Sequence, residues 1–276
     1  MRDINYGLIV SDFDGTLVKN DSTIAQKDKL AIEEYVKAGG AFAISTGRMP
    51  SGILSRAREL GLKGVISCCQ GAIILDVESG KFILEGRLPY DTTYNVVRVM
   101  EEMGLHIHIY DEWSFYSNTD DEALKMYEFA LKEKAKLVLD KPLSEFIKEN
   151  NFCTYKILAI VPPEDSEDVL QKLKAYNFPD CEVTKSAEFL VEVINQKYSK
   201  GTAVEFLANY YRVPLEKTIA MGDQLNDISM IQAAGLGVAV QNADDRLKIY
   251  ADFISSCTNE EGAVSDIIDK FGFTKE

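Results

Sequence analysis

Two pairs of aspartates have the spacing to do chemistry. Asp12 and Asp14 are two residues apart, and Asp223 and Asp227 are four apart. The first pair opens Asp12-Phe13-Asp14-Gly15-Thr16-Leu17, directly after the apolar run 7–10. A carboxylate can attack phosphorus and form an aspartyl-phosphate. A second carboxylate beside it can protonate the leaving oxygen and then activate water. Gly15 permits a turn that frees backbone N–H groups for a phosphate. The plainer alternative is a strand followed by an acidic turn.

The second pair lies in Gly222-Asp223-Gln224-Leu225-Asn226-Asp227, again after an apolar run. Hard oxygen donors of this kind suit Mg²⁺. Asp12, Asp223 and the backbone carbonyl of Asp14 would supply ligands, with Asp227 bound directly or through water. The alternative for Asp227 is a helix cap with acidic residues in its first turn. Between the pairs stand Ser45-Thr46-Gly47-Arg48 and Lys200-Gly201. A hydroxyl and a glycine at a strand-to-helix turn suit a phosphate oxygen, and a helix N-terminus nearby favours an anion. Arg48 either meets the phosphate or pairs with a surface carboxylate. Lys200 would offset the converging aspartates.

These motifs need a scaffold that gathers them. Short apolar runs at 7–10, 41–45 and 65–69 alternate with helical patterns at 23–38 and 51–60. The alternation returns after residue 200, with helices expected at 201–210, 227–234, 244–250 and 262–271. Strands are expected at 218–221, 237–240 and 252–254. Continuous apolar strands separated by helices indicate a parallel sheet buried on both faces. In such a sheet ligands bind beyond the carboxyl ends of the strands, where all four motifs fall. The middle differs. Strands at 115–117, 155–161 and 189–193, with helices at 94–103, 121–134 and 166–175, suggest an α+β domain over 85–193. Residues 1–84 and 194–276 then form one α/β core.

The chain has 276 residues and a formal charge of 30 − 44 = −14. That field repels nucleic acid, and it repels a phosphorylated substrate unless the site brings its own cations. No apolar run spans a bilayer and no signal peptide is legible, so a cytoplasmic location is expected. No obligate protein partner is evident. The five cysteines, with no CxxC pair, read as reduced thiols. The two histidines, His106 and His108, share one face of a strand but lack an evident third metal ligand. For His106, His108, Tyr110, Trp113 and Tyr116, packing in the core of the middle domain is preferred over substrate contact.

Taken in order, the four motifs resemble the haloacid dehalogenase superfamily, specifically its Cof-type (subfamily IIB) phosphatases. The similarity extends through Asn242-Ala243 and Glu261-Gly262-Ala263-Val264. It implies a Rossmann-like core, an inserted α+β cap that closes over it and selects the organic group, and Mg²⁺ as cofactor. It assigns Asp12 as nucleophile and Asp14 as general acid/base. Thr46, Lys200 and Asn226 match phosphate-binding positions. Asp12, Asp14 and Asp223 match metal ligands, with Asp227 in or near that set. The 154 positions between Thr46 and Lys200 exceed what the core needs, which puts the insertion there. Gln70-Gly71-Ala72 departs from the usual Asn-Gly-Ala, and 195–199 departs from a usual Pro- and Gly-containing loop.

The expected reaction is hydrolysis of a small phosphorylated metabolite through two in-line transfers. Asp14 must then be protonated when substrate binds, and crowding by other carboxylates is the expected cause. A sugar phosphomutase with the same intermediate, or a non-catalytic binder of a phosphorylated ligand, are the alternatives.

Overall fold

The computed structural model describes residues 2–59, 61–131 and 133–274. Leu60, the expected end of the 51–60 helix, lies outside them, as does Lys132 within the expected helix 121–134. The chain divides into two compact units. The first holds Met1–Arg48, Arg56–Leu84 and Tyr198–Glu276, and the second holds Met49–Ser55 and Glu85–Lys197.

The first unit is built on a sheet of eight described strands. Their spatial order is Phe253–Ile254, Leu236–Ala239, Thr218–Gly222, Leu8–Ser11, Ala41–Ser45, Val65–Cys68, Ile73–Asp76 and Phe82–Glu85. The first six run parallel. Leu8–Ser11 is central, paired with Thr218–Gly222 on one side and Ala41–Ser45 on the other, so the winding reverses there. The register sets Ser11 opposite both Met221 and Ile44. The residues that follow these three strands therefore emerge at one edge.

The last two strands were not expected. Val65–Cys68 pairs antiparallel with Ile73–Asp76, so the sheet is mixed. Positive φ at Cys69, Gln70 and Gly71 makes the tight reversal between them, and three left-handed residues in a row are hard to anticipate when two are not glycine. The helix expected at 244–250 shrinks to Asp245–Lys248.

Helix Lys200–Tyr211 covers one face. Val204, Leu207 and Ala208 pack on Leu8, Val10, Ala43 and Ala220. Each fully buried Val or Leu among them contributes about 1.5–3 kcal/mol. Helix Gln26–Lys37 supplies Asp28, Ile32 and Tyr35 as its buried residues, and the Tyr35 hydroxyl donates to the Tyr6 carbonyl.

The second unit has six described strands in the order Cys181–Ala187, Leu190–Asn195, Lys156–Ile160, His106–Tyr110, Phe115–Ser117 and Lys136–Leu137. Its central pairs are antiparallel. Alternation divides the faces. Ile107, Ile109, Ile157, Ala159, Val191 and Val193 join helical Val96, Met100, Ile147 and Leu173 in an apolar core. The interleaved residues set polar groups beside apolar Leu158 and Ile194. Lys156 Nζ donates to Glu192 Oε1 at 2.9 Å in a buried pair. His106 and His108 face each other through Nε2 at 2.9 Å, so one donates and the other accepts. His108 is wholly buried, with the Phe115 and Tyr127 ring centroids each 5.0 Å away. Tyr110 is buried as well, but Trp113 is half exposed, which corrects its expected place in the core. Trp113 sits instead on the turn between two strands, its N–H held by Asp111.

His108 gives the unit a pH-dependent stability. Burial first, then His106 and Lys156, push its imidazole from the ordinary 6.5 down to about 2. The folded form keeps it neutral while the unfolded chain takes up the proton, so stability falls as pH drops below about 6.5. Between pH 6.5 and pH 5 the loss should be roughly 1.5 kcal/mol. Urea melts at the two pH values should show a smaller difference in His108→Phe than in the wild type. An unchanged difference would assign the slope to other groups.

Candidate active site

The residues that directly follow three adjacent strands define the site. Asp12 follows Leu8–Ser11, Thr46 follows Ala41–Ser45, and Asp223 follows Thr218–Gly222. The ladder carries them along: the Asp12 N–H donates to the Met221 carbonyl at 2.8 Å, and the Thr46 N–H to the Ser67 carbonyl at 2.9 Å. Beyond Asp12 the chain turns tightly, with the Leu17 and Val18 N–H groups on the Phe13 carbonyl. Gly15 makes this possible at φ +77°. A β-carbon there would stand 2.4 Å from Asp223 Oδ2.

Lys200 is the centre of the charge arrangement. Ser199 caps its helix, accepting from the Thr202 N–H at 3.1 Å while its own N–H donates to Thr202 Oγ1 at 2.9 Å. The first helical residue is thereby fixed, and its side chain is buried. Nζ donates to Asp12 Oδ1 and to Asp227 Oδ1, both at 2.5 Å. Burial alone would lower this ammonium, but Asp12 and Asp227 outweigh it and hold it raised. Among the described residues, no protein donor reaches Asp12 Oδ2. That oxygen is the uncommitted one at the centre of the site.

Asp227 is committed on both oxygens. Oδ2 accepts from the backbone N–H groups of Asp223, at 2.9 Å, and Gln224, at 3.0 Å. The reading of Asp227 as a cap thus describes its contacts well: it closes the turn that presents Asp223. Asp223 is held by Thr16 Oγ1 at 2.9 Å and Gln224 Nε2 at 3.1 Å. Neither Thr16 nor Gln224 was singled out from the sequence. The Thr-Leu that follows Asp-x-Asp-Gly was the available signal for Thr16.

Asp12, Asp223 and Asp227 lie together, each with one carboxylate oxygen within 4.8 Å of the others, and all three are buried. If all are ionised, Lys200 leaves the cluster at −3 + 1 = −2. Burial, opposed by Lys200 and reinforced by Asp227 and Asp223, holds the Asp12 carboxyl well above its usual range. Burial and then Asp227 raise Asp223. A buried hard-oxygen cluster with excess negative charge fits a hard divalent cation such as Mg²⁺.

Asp14 stands apart from this cluster. Arg48 Nε donates to Asp14 Oδ2 at 2.6 Å and Nη2 to Oδ1 at 2.8 Å, a two-pronged ion pair at a partly exposed position. Crowding by carboxylates therefore does not describe Asp14. The second reading of Arg48, pairing with a carboxylate, is the observed one, and the carboxylate belongs to the site. Thr46 Oγ1 accepts from the Arg48 N–H at 3.2 Å, which shapes the turn through Gly47. Asn226 Nδ2 donates to Gln70 Oε1 at 3.3 Å. Asn242 Nδ2 donates to the Gly15 carbonyl at 2.8 Å.

The model of the haloacid dehalogenase-like hydrolase family matches residues 9–268. The chain belongs to that family. It is an enzyme of the haloacid dehalogenase-like hydrolases, and several of its relatives are named as phosphatases. The phosphatase YwpJ of Bacillus subtilis is 28% identical over 275 residues, spanning 92% of this chain and 96% of its own length. A second Bacillus subtilis protein, the 5-amino-6-(5-phospho-D-ribitylamino)uracil phosphatase YcsE, is 28% identical over 269 residues and 96% of each chain. The crystal structure of TM0651 from Thermotoga maritima superposes with a TM-score of 0.84 at 26% identity, covering 98% of each chain. The α/β Rossmann-like core of the family is the fold seen here. No described helix is long and apolar enough to cross a membrane.

Removing the central cation should be costly. Lys200→Met would leave Asp12 and Asp227 buried without their partner, a loss of about 3–5 kcal/mol. Urea unfolding without metal measures it. Added Mg²⁺ should recover part of the loss, because a ligand bound only by the folded state stabilises it.

Proposed function

We propose that the protein is a Mg²⁺-dependent phosphohydrolase of small phosphorylated metabolites that works through an aspartyl-phosphate on Asp12. The observation that carries this reading is Asp12, buried at the sheet's switch point, with Lys200 on one carboxylate oxygen and, among the described residues, no protein donor on Oδ2. Asp12 and Asp223, with the backbone of Asp14, would hold the metal, and Asp227 orients Lys200 and the Asp223 loop. A bound Mg²⁺ supplies charge neutralisation and polarisation of the phosphoryl oxygens.

Asp12 Oδ2 attacks phosphorus, and the bond to the leaving oxygen breaks. Asp14 gives its proton to that oxygen. Asp14 then takes a proton from water, whose oxygen attacks the same phosphorus and frees Asp12 and inorganic phosphate. Arg48 holds Asp14 as an ion pair before substrate arrives. The incoming phosphate would draw the guanidinium onto its own oxygens and leave Asp14 to carry the proton. Thr46, Gly47, Lys200 and Asn226 line the phosphate position in this reading, which places donors where charge develops.

The second unit, expected over 85–193, carries the preference for the organic group. The relative YcsE is named for a phospho-D-ribityl compound, which places phosphorylated sugars and polyols first in a substrate panel.

Phosphate release from sugar phosphates, polyol phosphates, nucleotides and p-nitrophenyl phosphate tests the reaction. Release should require Mg²⁺, stop with EDTA, and fall by at least about 10³-fold in Asp12→Asn, the scale of losing an essential group. Asp14→Asn should accumulate acid-stable phosphoprotein or lose turnover, and wild-type turnover would remove Asp14 from its role. Isomerised sugar phosphate in place of inorganic phosphate would mark a mutase. Exchanging residues 85–197 with those of YcsE should transfer the ranking of substrates, and a ranking that stays with the core would refute the role of the second unit.

A further inference from the structure

The loop after Val65–Cys68 makes its tight reversal through left-handed backbone at residues that carry side chains. Cys69, Gln70 and Gly71 follow one another at φ +50°, +57° and +99°. Left-handed backbone is costly for a residue with a side chain, and glycine would adopt it more readily. The second of these positions nonetheless carries glutamine. Two backbone bonds maintain the conformation: the Cys69 N–H donates to the Arg48 carbonyl at 2.9 Å, and the Gln70 N–H to the Thr46 carbonyl at 3.1 Å. The loop is thus bonded to the turn Thr46-Gly47-Arg48. Its other side meets the start of the Lys200 helix, where a β-carbon on Gly71 would stand 2.2 Å from the Ser199 carbonyl oxygen.

The side chain uses this placement. Gln70 Oε1 accepts from Asn226 Nδ2 at 3.3 Å. That bond orients the amide, so Nε2 points toward the turn, 2.7 Å from where a β-carbon on Gly47 would stand. One amide therefore joins the loop that bears Asn226 to the turn that bears Thr46 and Arg48. Asparagine, one methylene shorter, would not span the same gap from the same backbone.

We propose that Gln70 is a phosphate-binding and positioning residue: its carbonyl holds Asn226 in place, and its Nε2 donates to a phosphate oxygen beside Gly47. The inference rests on the phosphatase reading of the site and adds to it a contact set by this chain's own departure from Asn-Gly-Ala. The strain at Gln70 is retained because the side chain is needed there.

The test uses the full-length protein with Mg²⁺, inorganic phosphate as the ligand in calorimetry, and the best substrate of the panel in kinetics. Gln70→Gly suits φ +57°, so its melting temperature should stay at or near the wild-type value. Its phosphate Kd should rise about tenfold, and its loss of activity should appear mainly in KM. Gln70→Glu keeps the acceptor for Asn226 but replaces the donor with charge, and should bind phosphate more weakly than Gln70→Gly. The double variant Gln70→Gly/Asn226→Ala should lose less than the product of the two single effects, because one side chain holds the other. Wild-type phosphate binding together with a Gln70→Gly Kd within about twofold of it would overturn the inference and leave the phosphatase reading intact. Fully multiplicative single effects would overturn the positioning role. A wild-type protein that neither binds phosphate nor releases it from any substrate would overturn both.

Discussion

A single buried ammonium organises this site. Lys200 lies between Asp12 and Asp227, which come from the ends of two paired strands, 2.5 Å from each. A buried cation with two carboxylates repays its desolvation only when geometry is tight. That geometry depends on where the helix begins, and Ser199 with Thr202 sets the beginning. The cap of one helix thereby helps to decide which oxygen of Asp12 is engaged and which is left open.

The same economy runs through the neighbouring groups. Asp227 spends both oxygens on Lys200 and on two N–H groups, so it shapes the site and leaves Asp223 to face it. Asp223 is steadied in turn by Thr16 and Gln224. The two cations nearest the proposed phosphate position, Lys200 and Arg48, are each already matched to carboxylates. In a chain of net charge −14, a dianionic substrate meets little unbalanced positive charge here. A divalent cation held by Asp12 and Asp223 would answer that deficit, which is the physical argument for the proposed metal dependence.

The second unit handles buried polarity differently. Its sheet sets an apolar face against helices and gathers Lys156, Glu192, His106, His108 and Tyr110 on the other. Lys156 is matched by Glu192. The histidines are matched by each other, which works only while at least one ring is neutral. Burial keeps His108 in that state.

The four motifs, their order and the sheet that gathers them were legible in the sequence. Apolar runs ending at Val10, Ser45 and Met221 mark strand ends, and side-chain chemistry marks what must follow them. The division near residue 85 showed as a change of pattern, although the second compact unit runs to Lys197 and also takes in Met49–Ser55. Pairings between distant side chains were not legible. Nothing in local spacing says that Arg48 meets Asp14 across 34 positions, that Thr16 meets Asp223 across 207, or that Gln70 meets Asn226 across 156. Nor does it show three left-handed residues after Cys68, because their conformation is held by bonds to the distant turn Thr46-Gly47-Arg48. The sequence by itself determined which groups would converge, since hydrophobic periodicity and strand ends are local properties. The tertiary structure decided which oxygen each cation takes and which one stays open, because burial and long-range hydrogen bonds exist only once the sheet has brought these segments together.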